Sequence, residues 1–250
     1  DLALGNAVGS NIVNFGLTLA LAALAAPLLI RMRLLSPMLV TLVVATLAVI
    51  LFGLDGVISQ LEGIVLLLAF VAMLVFMLAR SSRESAEVRE SVAAYADTRS
   101  VLWLNVLRFV VAVALLYFGA KFVVSSAPVI GASWGLSPLL VGLLPVAIGT
   151  ALPEVAAAIA AARRGQGDMV AGHVIGSSLF NLLVVVGGMA ALRPLPLPAS
   201  FVRLELPAAI VFALMLYPML RGDLRISKGE GGVLFIAFLG WVVLELALLM

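Results

Sequence analysis

Residues 147–181 read AIGTALPEVAAAIAAARRGQGDMVAGHVIGSSLFN, and the rest of the chain can be interpreted around them. Two apolar stretches flank a short polar turn, and the first carries Glu154, directly after Pro153, which we expect to be the only carboxylate deep inside an apolar span. An ionisable side chain inside a membrane is costly and by default marks a substrate or ion pathway. Proline lacks a backbone N–H and disfavours helical dihedrals in the preceding residue. We therefore expect the helix to break between Gly149 and Pro153, freeing carbonyls beside the carboxylate as in many transporter cation sites.

The composition is that of a membrane protein. Of the 250 residues 64% are hydrophobic and 11% are charged, and the mean hydropathy is +1.25. A soluble domain is about half apolar and about a quarter charged. The net charge of +2 comes from basic residues scattered at the ends of apolar runs, which gives no indication of nucleic-acid binding. The lack of cysteine excludes disulfides, thiolate metal sites and iron–sulfur clusters.

Apolar runs long enough to cross a bilayer, at roughly 20 residues each, occur eight times. They predict membrane-spanning helices near residues 5–30, 37–54, 58–79, 101–125, 136–163, 169–192, 201–220 and 229–249. The long polar stretch between the third and fourth runs, residues 80–100, is predicted to be a linker. The fold class expected is therefore an all-α polytopic membrane protein.

The basic residues predict which way the chain faces. If the runs alternate in direction, one face collects Arg31, Arg33, Arg80, Arg83, Arg89, Arg99, Arg108, Arg163, Arg164, Arg221, Arg225 and Lys228, and the other collects Lys121, Arg193 and Arg203. Lysine and arginine accumulate on the cytoplasmic side of membrane proteins. The first face, with the 80–100 linker, is therefore expected to be cytoplasmic. The short linker leaves no room for regulatory domains, which favours a prokaryotic inner membrane.

The chain contains an internal repeat. A shift of 167 residues places DLALGNAVGSNIVN (1–14) on DMVAGHVIGSSLFN (168–181). One further residue of offset aligns Ser59 with Ser227 and Glu62 with Glu230, and each Ser–Glu pair has the spacing of a helix capping box. Two homologous halves are therefore expected.

The repeat also predicts how the two halves are arranged. Residues 101–167 precede the second motif, whereas nothing in the chain precedes Asp1. We expect two further spans before Asp1, with a glutamate about 14 residues upstream to match Glu154. Five spans per half would make the halves face opposite ways, which is the inverted-repeat plan of secondary transporters. Residues 1–79 would then be the last three spans of the first repeat, and 101–250 the complete second repeat.

These motifs resemble those of the cation/calcium exchanger superfamily, which includes the sodium/calcium exchangers. GTALPE (149–154) is similar to the family's GTSLPE signature, and GNAVGSNIVN (5–14) and GHVIGSSLFN (172–181) are similar to its paired GN-x-x-GSN motifs. The resemblance implies an antiporter, not an enzyme, that exchanges Ca²⁺ for Na⁺, or in some branches for H⁺ or K⁺, without a cofactor. Its partners would be these two ions and the lipid bilayer, and we expect a monomer that binds no nucleic acid.

The resemblance also implies which residues hold the cation. Glu154 would be the main carboxylate ligand, and the remaining oxygens would come from the Thr150 hydroxyl or carbonyl, the Ala147 carbonyl, and the side chains of Ser177, Asn181, Ser10 and Asn14. Two departures from the family pattern matter. Ala151 replaces a usual serine and removes one oxygen, and His173 stands where the motif has asparagine.

The residue types support this assignment independently. Ser10 and Asn14, like Ser177 and Asn181, are four residues apart and share a helix face. The Gly5–Gly9 and Gly172–Gly176 pairs should let helices approach closely and bring these oxygens to Glu154. Carboxylate, amide, hydroxyl and carbonyl oxygens suit a hard cation such as Ca²⁺.

Several alternatives remain open. The coupling ion could be H⁺ or K⁺, or the chain could be a non-transporting membrane scaffold whose asparagines only join helices. Asn11 and Ser178 are expected to be packing groups, and His173 is expected to be structural. A membrane hydrolase would need a nucleophile with a base or a metal cluster, but the sole histidine has no such partner pattern.

Overall fold

The structure, a computed structural model, describes residues 1–81, 90, 102–221 and 224–248. In these residues eight helices are long and apolar enough to cross a membrane. We number them α1–α8, and they comprise Leu2–Ala25, Leu35–Phe52, Gln60–Ser81, Leu102–Ser133, Pro138–Arg163, Gly167–Leu192, 201–221 and Lys228–Ala247. The all-α membrane class and the eight spans are confirmed. Most of the predicted linker, 82–89 and 91–100, lies outside the described residues.

The fourth helix runs past its predicted end. It continues from residue 125 through Pro128 to Ser133 instead of stopping. The chain then turns at Gly135, which has a φ of +75°, and the Leu136 N–H donates to the Gly131 carbonyl at 2.9 Å. This left-handed glycine after the last turn is a common helix stop, so the end is set by Gly135 and not by the preceding proline.

The predicted break at Gly149–Pro153 is wrong. The chain is α-helical from Ala147 to Arg163, with Pro153 inside the helix. The irregular segment lies just before it, as a π-helical turn over Gly142–Val146 that contains Pro145. Local π adjustment and threonine side chains are known ways to accommodate proline in a membrane helix, and Thr150 is hydrogen-bonded one turn before Pro153.

The two halves repeat each other in structural detail. π-helical turns begin at Asn14 and Asn181, 167 residues apart. Two-residue strands follow at the matching offsets: β1 (Leu28–Leu29), β2 (Val57–Ile58), β3 (Leu195–Pro196) and β4 (Arg225–Ile226). β1 pairs antiparallel with β4, and β2 pairs antiparallel with β3, so each pair joins one half to the other.

The ends of the helices match in the same way. Ser59 and Glu62 form a capping box at the start of α3, and Ser227 and Glu230 form its counterpart at the start of α8. Both capping predictions are confirmed. The reciprocal strand pairs lie at opposite ends of the bundle, as expected when two copies face opposite ways across a membrane.

The two helices that carry the repeated motif, α1 and α6, lie at the centre of the bundle. α1 packs against α5, α6, α7 and α8, and α6 packs against α1, α2, α3 and α5. α1 is the most buried span, at 83% of its apolar window. Because α1 and α6 are equivalent helices that cross each other, the residues at their crossing are the point where the two repeats meet.

Close glycine packing joins α1 to α5. A Cβ added at Gly5 or Gly9 would overlap the backbone carbonyls of Leu139 or Leu143 on α5. The predicted backbone approach is therefore confirmed for α1. For Gly172 and Gly176 on α6 it stays a prediction, because the span equivalent to α5 is expected before Asp1.

Candidate functional site

Two side-chain amides form the contact between the repeats. The Asn14 Nδ2 group donates to Ser178 Oγ at 3.3 Å, and the Asn181 Nδ2 group donates to Asn11 Oδ1 at 3.1 Å. A shift of 167 residues relates Asn14 to Asn181 and Asn11 to Ser178, so the two bonds are equivalent by the repeat. Each donating amide stands at the first residue of a π-helical turn, a feature that is frequent at functional sites.

These bonds leave specific atoms for a ligand. An asparagine amide has two N–H donors and one carbonyl oxygen. Because the nitrogens of Asn14 and Asn181 are used between helices, their Oδ1 atoms are the ones suited to a cation. Asn14 and Asn181 lie about 20 Å from the starts of spans of 24 and 26 residues, which places them in the middle of the bundle.

The two predicted serines are arranged differently. Ser10 Oγ donates to Asn6 Oδ1 on its own helix at 3.5 Å, and both Ser10 and Ser177 are half-buried. The polar face at the crossing is formed instead by pairs three residues apart, Asn11 with Asn14 and Ser178 with Asn181. The buried side chains of Asn11 and Ser178 therefore join α1 and α6 through hydrogen bonds, as expected of polar packing groups.

Thr150 and Ala147 lie on one turn of α5. The Thr150 hydroxyl donates to the Val146 carbonyl at 2.8 Å and to the Ala147 carbonyl at 3.2 Å. Pro153 cannot supply the N–H that would bond to the Gly149 carbonyl. This turn borders a largely apolar cavity of about 390 Å³ between α4 and α5.

Glu154 contacts a histidine. Glu154 Oε2 lies 3.4 Å from His173 Nε2 on α6, beside a cavity of about 160 Å³ lined by Ala157, Ala158, Ala161, Met169 and Val170. The Glu154 side chain is 38% exposed. The histidine was not predicted to touch the site, although it occupies the position that the repeat aligns with Asn6.

The predicted residues therefore form separate contacts in this structure. Of the groups that the structure describes, His173 is the polar partner of Glu154, and the asparagines bond to each other's helices. The α5 helix nevertheless packs against both α1 and α6, so the carboxylate and the amides are on neighbouring helices. Among the described residues no three His, Asp or Glu side chains converge as a metal cluster.

Two glutamates that the motifs do not mark are more deeply buried than Glu154. Glu205 and Glu245 are each 3% exposed. They stand near the ends of apolar spans, where a glutamate is easily read as a boundary residue. Counting carboxylates within each span would have found them, and the expectation that Glu154 is the only deep carboxylate is wrong.

An inverted helical repeat whose halves meet at paired oxygen-bearing side chains in mid-bundle defines a secondary transporter of cations. The family comparison agrees. A model of the sodium/calcium exchanger protein family matches residues 1–79 and 104–247, so this chain belongs to that family. It is a membrane transporter and not an enzyme.

Known relatives cover nearly the whole chain. The inner membrane protein YrbG of Escherichia coli is 33% identical over 257 residues, spanning 98% of this chain and 77% of YrbG. The sodium/calcium exchanger MaX1 of Methanosarcina acetivorans is 28% identical over 139 residues, spanning 56% of this chain and 40% of MaX1.

Solved structures share the fold. The sodium-calcium exchanger NCX_Mj, soaked with 100 mM Na⁺ and 10 mM Sr²⁺, superposes with a TM-score of 0.69 at 27% identity, covering 97% of this chain and 76% of that one. The resemblance inferred from the motifs is thus confirmed, as are the inverted-repeat membrane fold and the assignment to cation antiport.

Proposed function

We propose that the protein carrying this chain exchanges Ca²⁺ for Na⁺ by alternating access at a site between its two repeats. The observation that carries the proposal is the pair of repeat-related amide bonds at the α1–α6 crossing, at 3.3 and 3.1 Å. A site on the axis relating two inverted halves can be exposed to either face by equivalent movements of either half.

The proposed ligands are oxygens from three helices. Asn14 and Asn181 would contribute Oδ1, Ser10 and Ser177 their hydroxyls, and Glu154 its carboxylate, while α5 would add the Thr150 oxygen and the Ala147 carbonyl. Glu154 is partly exposed and bonded to His173. Binding a cation would therefore require the carboxylate to exchange the imidazole for the ion, and competition of this kind makes occupancy by different ions mutually exclusive.

The domain division belongs to the same proposal. Residues 1–79 would form the last three spans of the first repeat, 80–100 a cytoplasmic linker and 101–250 the complete second repeat. The protein would be a monomer of a prokaryotic inner membrane. The Asp168 carboxylate accepts from the Arg31 and Met32 backbone N–H groups at 2.6 and 2.8 Å, so the arginines after α1 and those after α5 share a face.

Transport assays test the exchange directly. In proteoliposomes containing the complete protein, Ca²⁺ uptake should follow an outward Na⁺ gradient, and E154Q should remove it. Uptake driven by a pH gradient and indifferent to Na⁺ would reject Na⁺ coupling. Unchanged flux in E154Q would reject a carboxylate site and favour a scaffold.

One observation favours a second candidate, proton-coupled exchange. His173 replaces the asparagine of the family motif and lies 3.4 Å from Glu154. Histidine changes charge between about pH 5 and 8, so a proton could replace Na⁺ as the competing ion. Equal Ca²⁺ uptake with and without Na⁺, but only under a pH gradient, would favour this candidate.

A further inference from the structure

The end of the bundle formed by α7 and α8 contains a pair of buried carboxyl groups. Glu205 lies 16 residues before the end of α7, and Glu245 lies 17 residues after the start of α8. The two helices are consecutive and run in opposite directions, so this spacing puts the glutamates at the same level. Glu245 is within electrostatic range of Glu205, and each side chain is 97% buried, with 3% exposed.

The pair has unsatisfied polar atoms. Glu205 Oε2 and Glu245 Oε1 are buried and have no hydrogen-bond partner. Trp241 is 5% exposed, lies one turn before Glu245 on the same helix face, and its Nε1 group faces Glu245 without closing a hydrogen bond. Buried acceptors without hydrogen bonds are costly to the fold, which points to a ligand held between the two carboxyl groups.

In the part of the chain that the structure describes, no basic side chain lies near enough to balance two negative charges. The helices α1 and α2, which pack against α7 and α8, contain no Asp, Glu, Lys, Arg or His. On α7 itself Arg203 is exposed, and residues two apart on a helix do not face each other. Lys228 and Glu230 lie at the far end of α8, at least ~22 Å along the axis from Glu245. Tyr217 is likewise ~18 Å along α7 from Glu205.

We propose that Glu205 and Glu245 share one proton in a binding site separate from the cation site at Glu154. Two like charges close together in an apolar site cannot both ionise, so a carboxyl pair retains a proton. A metal ion fits less well, because Ca²⁺ takes six to eight oxygens and the indole N–H of Trp241 can only donate a hydrogen bond. Exposed Ser200 lies against Glu205 and marks the nearest surface for proton entry.

The repeat aligns these glutamates with apolar residues of the first copy. The offset of 167 aligns Glu205 with Met38, and the offset of 168 aligns Glu245 with Met77. Met38 is buried and Met77 packs on the core, so methionine fills the same places in the first copy. The carboxyl pair is an addition of the second copy, which favours a role in binding over a role in packing.

Infrared spectroscopy tests the proposal without requiring transport. A protonated carboxyl group has a C=O stretching band distinct from that of a carboxylate. In the purified protein at neutral pH, the difference between the wild type and the double variant E205Q/E245Q should correspond to one protonated carboxyl group per protein. E230Q on the same helix and E154Q should both retain this band.

Other outcomes overturn the proposal. A difference of two protonated carboxyl groups per protein would mean two neutral carboxyls and no sharing, and no difference would mean that both are ionised. A band that appears only after Na⁺ and Ca²⁺ are removed would mean a bound cation. If E205Q/E245Q does not fold, E205M/E245M replaces it in the same comparison. Failure of Na⁺-driven Ca²⁺ exchange leaves this readout unaffected.

Discussion

At the scale of single residues, the chemistry of the site depends on which partner holds each polar group. The amide nitrogens of Asn14 and Asn181 are engaged between helices, whereas the Glu154 carboxylate has one imidazole partner and is partly exposed. A carboxylate with a single displaceable partner is the group in this set that can most readily change its contact when an ion arrives.

Replacing Glu154 by glutamine should therefore abolish Ca²⁺ exchange. The substitution keeps the size of the side chain but removes the negative charge. Loss of an outer-shell partner alone typically lowers metal affinity by about 10- to 100-fold, so loss of the carboxylate ligand itself should cost at least as much. Initial rates of Ca²⁺ uptake into proteoliposomes measure the loss. E62Q, which changes a half-buried capping carboxylate remote from the site, is the control and should keep its transport rate. A normal rate in E154Q would contradict the assignment.

Replacing His173 by asparagine should make exchange less sensitive to acid. Protonation of the imidazole, normally near pH ~6.5, places a positive charge 3.4 Å from Glu154 and strengthens the contact that a cation must displace. Wild-type exchange should therefore fall as the pH is lowered through this range, while H173N should fall less. Uptake rates under a fixed Na⁺ gradient between about pH 5.5 and 8 measure the difference. If the wild type and H173N had the same dependence of uptake on pH, His173 would not compete with the cation for Glu154.

The sequence could identify most of these residues but not the face they use. Residues that are three apart on a helix share a face, and so do residues that are four apart. Spacing alone therefore could not decide whether Ser10 or Asn11 forms the polar face of α1 together with Asn14. The choice follows from how α1 crosses α6, which is a tertiary property. His173 could have been found from the sequence, because the repeat aligns it with the motif residue Asn6.

At the scale of helices and turns, the predictable features were those with local causes. The capping boxes at Ser59 and Ser227 follow from side chains that bond within one turn, so sequence suffices for them. The helix through Pro153 depends instead on a π-helical turn before it and on the Thr150 hydroxyl. The prediction of a break considered only the effect of Pro153 on its neighbouring dihedral angles, so it could not anticipate these two compensating features.

The close approach of α1 to α5 gives a stability test. Gly9→Ala should destabilise the protein by about 1–3 kcal/mol, because the added methyl group overlaps the Leu143 backbone on α5 and overpacking carries this cost. Gly240→Ala on α8, where no atom lies within 4 Å of an added Cβ, is the control and should be nearly neutral. Unfolding midpoints in detergent compare the two, and equal shifts would contradict close packing at Gly9.

At the scale of the whole molecule, the repeat links the fold to the transport mechanism. Strand pairs β1–β4 and β2–β3 join the halves at opposite ends of the bundle, and the asparagine bonds join them at mid-depth. The sequence offsets of 167 and 168 residues predicted that the two halves are equivalent, because each copy repeats its turns and helix caps at fixed positions. The offsets could not reveal Glu205 and Glu245, since these glutamates have no counterpart in the first copy.

The orientation of the bundle can be tested with single cysteines, because the chain contains none. Arg164 and Arg193 are both exposed and flank opposite ends of α6. If the arginine-rich face is cytoplasmic, a membrane-impermeant maleimide should label R193C on intact cells and label R164C only after permeabilisation. D55C should behave like R193C, because β2 and β3 pair beside both positions. Reversed labelling would mean that the arginine-rich face is not cytoplasmic and that the predicted orientation is wrong. Labelling of both arginine positions from one side would mean that α6 does not span the membrane.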